Sequence, residues 1–111
     1  MSKVINLTPH SIELVDDEGN LIVSLPSVGI ARAREQVEYT RPVEVDGWVV
    51  PVARVSYGSL EGVPDPGYGT FYVVSRICAE AAPEREDLLV PGPAVRDPQG
   101  RVIGCKGLAR L

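Results

Sequence analysis

Apolar and polar residues along this chain follow the two-residue period of strands more often than the period of helices. Ser11-Ile12-Glu13-Leu14-Val15 carries apolar residues at alternate positions, the mark of a half-buried strand. Asp16-Asp17-Glu18-Gly19-Asn20 reads as a turn, because Gly19 and Asn20 tolerate positive φ, and Leu21-Ile22-Val23-Ser24-Leu25 pairs back across it. This is the clearest hairpin in the chain. Upstream, Val4-Ile5-Asn6-Leu7 is a short first strand, broken at Thr8-Pro9 because proline has no N–H for the ladder.

Beyond Pro26, Gly29 to Glu35 alternates so that Arg32 and Arg34 share one face while Ala31 and Ala33 share the other. Gln36 to Val45 stays compatible with a strand, and Asp46-Gly47 is a strong turn signal. Trp48 to Tyr57 is the longest β-rich stretch, with Pro51 marking an edge, a bulge or a new strand. Gly58 to Gly69 is dense in glycine and proline and is expected to be a loop. Thr70-Phe71-Tyr72-Val73-Val74, apolar at nearly every position, predicts a central strand. Ser75 then caps a short helix over 76–82, favoured by its alanines and stopped by Pro83. Leu88-Leu89-Val90 is a short apolar stretch, and Ala94-Val95-Arg96 turns through Asp97-Pro98-Gln99-Gly100 into Arg101 to Cys105 as a closing hairpin.

The expected fold class is mainly β (α+β): a small curled or sandwiched antiparallel or mixed sheet with one short helix near 75–82. Residues 1–111 are expected to form a single domain, since 111 residues leave no room for two independent cores. The 10 prolines and 11 glycines reinforce a fold of short elements joined by turns.

Charge narrows the partners. The net charge is −4, with residues 1–75 holding 10 acidic and 5 basic side chains and residues 76–111 holding 5 acidic and 6 basic. An acidic protein has little attraction for a phosphate backbone, so duplex nucleic acid is not an expected partner. No apolar run is long enough to cross a bilayer, and Met1-Ser2-Lys3-Val4 lacks the apolar core of a secretion signal. A cytoplasmic location in a bacterial host cell is expected, with Cys78 and Cys105 as free thiols.

Candidate chemistry is sparse. Zinc sites need three or four ligands, whereas His10 is the only histidine and the two cysteines are far apart in sequence. No metal or other cofactor is expected. Cys105, beside Lys106, would need His10 as its base to act as a nucleophile; the competing reading is a small apolar cysteine in a strand. Gly100 to Gly107 superficially resembles a phosphate-binding loop, but only three residues separate its first two glycines and no Ser or Thr follows Lys106. What remains is a group of cations near loops: Arg76, Arg85, Arg96, Arg101 and Arg110, with Lys106. Arginine's planar fork grips phosphate through paired hydrogen bonds, and Tyr68 or Tyr72 offers a ring on which a base can stack. The competing reading is a scatter of surface ion pairs with Glu84, Glu86 and Asp97.

The stretches Ile5-Asn6-Leu7-Thr8-Pro9-His10, Gly69 to Ser75, Arg85 to Gly92, Val95-Arg96-Asp97 and Gly100 to Leu108 resemble a family of small bacteriophage and actinobacterial proteins. The likeness covers nearly the whole chain except residues 30–45. It carries over no catalytic residues and implies a phage or prophage accessory protein. Some phage proteins of this scale sequester nucleotide second messengers of host defence, an analogy that does not depend on fold. The leading expectation is therefore a non-enzymatic binder of a phosphorylated or nucleotide-derived small molecule. Arg85, Arg96, Arg101, Lys106 and Arg76 would hold phosphate and Tyr68 or Tyr72 the base, without any chemistry and at the interface of a homo-oligomer. The alternatives are a module that docks on a protein through a strand edge or its proline-rich loops, and a small hydrolase using His10 with Cys105 or a carboxylate.

Overall fold

The computed structural model describes residues 2–111 and consists of a layered β body from which a long hairpin projects. The first strand, β1 (Lys3–Asn6), pairs in parallel with β8 (Thr70–Val73), which pairs in parallel with β9 (Leu88–Pro91). A short β12 (Leu108–Ala109) closes the far edge of β9 in the antiparallel sense. The second sheet is built on the hairpin of β2 (Ile12–Val15) and β3 (Leu21–Leu25). Its other half is the hairpin of β10 (Ala94–Arg96) and β11 (Val102–Cys105), joined through a parallel contact of Cys105 with Leu14.

The first sheet is covered on both faces. Tyr72 and Val74 face a core with Leu7, Cys78, Ala79, Ala82, Leu88 and neighbours, under the single helix α1 (Arg76–Ala81). Val73, of opposite parity, faces Ile12 and Cys105 of the second sheet, with Val4, Leu14, Leu25 and Leu108 around them. Covering on both faces explains why β8 is apolar at nearly every position. Helix α1 sits against the sheet through Cys78 and Ala79, and its N-terminus is capped by Ser75, whose hydroxyl accepts from the Cys78 N–H at 3.4 Å.

Close backbone packing fixes the second sheet. A Cβ added to Gly104 would lie 2.6 Å from the Glu13 carbonyl oxygen and 2.9 Å from Val15 Cγ1, so β11 can approach β2 only with glycine there.

The hairpin arm is the larger surprise. Strand β4 (Arg32–Tyr39) pairs antiparallel with β7 (Ala53–Glu61), and β5 (Val43–Val45) with β6 (Trp48–Val50) beyond them. The tip turns at Asp46 and Gly47, both at positive φ (51° and 83°), which is the geometry that matches strand twist in a two-residue hairpin. Neither pair of strands joins the two larger sheets. The radius of gyration is 18.2 Å, against roughly 13 Å for a compact domain of about 100 residues.

The mainly β class and the short helix agree with the sequence, and three expectations need correction. The strand expected from Gly29 begins at Arg32, and the stretch from Gln36 to Val45 is broken after Tyr39, around Pro42. The loop expected over Gly58 to Gly69 begins only after Glu61. Leu60 pairs with Ala33 and packs against the core, and that burial carries the strand through Gly58.

Candidate functional site

The cations singled out from the sequence separate into four places. Arg85 follows α1 and is half-buried, its Nε donating to Asp87 Oδ1 at 3.0 Å and its Nη2 to Asp87 Oδ2 at 2.6 Å. Its Nη2 also donates to the Pro64 carbonyl at 2.9 Å, tying the 62–69 loop to the start of β9. The paired hydrogen bonds from Arg85 hold the Asp87 carboxyl below the usual carboxylate range, and the same pairing raises the Arg85 guanidinium. This arginine is a structural clamp.

Arg76 lies on the exposed face of α1, paired with Glu80 at 3.0 Å. Arg96 and Arg101 flank the β10–β11 turn. Arg96 donates to the Gly100 carbonyl at 2.8 Å, and Arg101 pairs with Asp97 at 3.4 Å. Asp97 itself shapes that turn by accepting from the Gln99 and Arg101 N–H groups. Lys106 pairs with Asp17 of the β2–β3 turn, which raises its pKa. Tyr68 is fully exposed, whereas Tyr72 is buried in the core (5% exposed) and offers no open ring face to a base.

One concave feature gathers cations. A cleft of about 610 Å³ between α1 and the C-terminal residues is lined by Arg85 and Arg110 together with Glu80 and Glu86. Its two arginines could meet an anion, although the two glutamates oppose one. Arg110 is another of the loop cations, and only the fold brings it beside Arg85.

The hydrolase pairing finds no such gathering. Cys105 is buried with Ile12 and Val73, while His10 is exposed in the turn after β1. Both cysteines are free and buried, in different core clusters. Among the described residues no three His, Cys, Asp or Glu side chains group to hold a metal ion, and no helix is long and apolar enough to cross a membrane.

The arm carries a second, more extensive feature. Antiparallel register puts opposed residues on one face, so Val37 and Val55, Tyr39 and Ala53, and Glu35 and Tyr57 share a face. The other face holds Gln36 with Ser56 and Glu38 with Arg54. The ribbon is therefore amphipathic. Its apolar face is continuous with Ala33 and Leu60, which pack against the body's core near α1. Further out nothing covers it: Val37, Val55 and Tyr57 are about half exposed and Tyr39 is 73% exposed. At the tip, Val43 with Val50 and Val45 with Trp48 form another apolar face, with Trp48 76% exposed. The sequence supplied the alternation that marks this ribbon, but not the fact that no layer of the same chain lies over it.

Comparison with protein-family models, with curated proteins and with solved structures finds no match to this chain.

Proposed function

We propose that this protein works by binding, as an accessory module that docks through the apolar face of its hairpin arm. The observation that carries this reading is the amphipathic ribbon of β4 and β7, whose apolar face leaves the body's core and continues uncovered. A one-sided apolar sheet is stable when another layer lies over it, and an isolated two-stranded ribbon is marginal in water. Exposed contiguous apolar surface of this kind marks interaction sites in soluble proteins. A photocross-linking residue at Tyr39, on the apolar face, is expected to give a discrete protein adduct in cells that make the protein. The same residue at Glu38, on the polar face, is expected to give none. Equal yields from the two faces, or no adduct from either, would contradict the docking reading.

A second reading is favoured by the cleft that holds Arg85 and Arg110: sequestration of a phosphorylated or nucleotide-derived small molecule, without turnover. In the phage setting that the sequence resemblance implies, such binding would withdraw a host signal. Arg110 is the residue to change, because Arg85 holds the 62–69 loop in place. Native mass spectrometry against cyclic and ADP-ribose-derived nucleotides is expected to show a complex weakened about tenfold or more by Arg110→Ala, the scale of one charge-assisted contact. Equal binding by the variant would remove the cleft from consideration.

A further inference from the structure

We infer that the layer over the arm is the arm of a second copy of this chain, the two ribbons stacking face to face in opposite directions about a two-fold axis. The inference rests on the docking reading and names its partner. Such an axis, placed at the Val37–Val55 pair, sets those valines against their own counterparts. It also lays the large Tyr57 over the small Ala53 of the second copy, and Glu35 over the Tyr39 of the second copy, whose hydroxyl can donate to the carboxylate. Large meets small and acceptor meets donor without any change of register. The face is self-complementary in shape and in hydrogen bonding.

Charge points the same way. Between Arg32 and Glu61 the arm holds four arginines and five acidic side chains. A strongly charged partner or an anionic lipid surface would be matched by an excess of one sign, whereas a near-balanced arm can approach its own copy without net repulsion. The four large apolar side chains of this face, Val37, Tyr39, Val55 and Tyr57, are 42–73% exposed and lie together around that axis, so a second copy covers all of them at once. Val55 is separated from Trp48 and from Glu61 by similar lengths of chain, so opposed stacking carries each tip to the base of the other arm, where Ala33 and Leu60 join the body. The bodies then sit at opposite ends of the pair.

Sedimentation velocity of the full chain tests this directly. The wild type is expected to sediment at twice the 11.9 kDa of one chain. Val55→Glu, which sets two carboxylates against each other at the axis, is expected to weaken association by on the order of a hundredfold. Ser56→Glu, on the polar face, is expected to leave it unchanged. Ala53→Tyr separates this from simple loss of the arm: tyrosine suits an exposed strand, so it weakens the dimer only if Tyr57 of a second copy needs that space. A monomer at every concentration, or a dimer indifferent to Val55→Glu and Ala53→Tyr, would overturn the inference. With a monomer, a face-specific adduct of another mass at Tyr39 would still uphold docking on a different protein, whereas no adduct would end both.

Discussion

Asn6→Asp is expected to destabilise the protein by about 3–5 kcal/mol, a large share of the roughly 5–15 kcal/mol that holds a domain folded. Asn6 is 2% exposed, and every hydrogen-bonding position of its side chain is used. Its amide nitrogen donates to the Leu25 and His10 carbonyls, both at 2.8 Å. Its oxygen accepts from the Thr8 N–H at 2.9 Å and the Thr8 hydroxyl at 2.7 Å. These bonds shape the turn after β1 and tie the end of β1, in the first sheet, to the end of β3, in the second. Asn6 therefore joins the two layers of the body.

Aspartate has nearly the same shape, but it removes both donors and points a carboxylate oxygen at two carbonyls in a buried site. Burial and the facing carbonyls raise the folded-state pKa of the new acid above its unfolded value of about 3.9. The penalty is then smallest below that value, where both states are protonated, and grows as pH rises towards the folded pKa. Thermal or urea unfolding at pH 7 checks the size of the loss. Repeating it near pH 4 checks the cause, because the gap from wild type should narrow there. A variant as stable as wild type at pH 7, or a gap independent of pH, would contradict this role for Asn6.

The same residue shows what could be read from sequence. Ile5 to His10 stands out as a motif, and Pro9 marks the end of a strand, but nothing local says that Asn6 reaches the Leu25 carbonyl on another sheet. The β2–β3 hairpin, the Ser75 cap and the closing hairpin were legible because each depends on residues close in sequence: the Asp16–Asn20 turn, a hydroxyl before a helix, and Asp97 folding over Gln99 and Arg101. Strand β8 was legible as central because covering on both faces leaves no polar position. The division into two sheets was not, since it depends on parallel contacts such as Cys105 with Leu14 between distant segments. For the site, residue type alone grouped Arg85, Arg96, Arg101 and Lys106, whereas the fold gives each its own local partner. The amphipathic arm was readable as strands, but its uncovered face is a property of what the rest of the chain leaves out of reach.

The second large effect concerns that face. Trp48 is the sole tryptophan, so its fluorescence reports on the arm tip alone. In a lone chain its indole is open to water, 76% exposed on a ribbon with no covering layer. Stacked arms would set it against the base of the second arm and remove much of that access. The most direct measurement is therefore acrylamide quenching of Trp48 as protein concentration is raised through the association range. Face-to-face pairing of the arms predicts that quenching falls several-fold as dimers form and recovers in Val55→Glu at the same concentration. Trp48 quenched as readily as free tryptophan at every concentration, in a protein that remains folded, would contradict it.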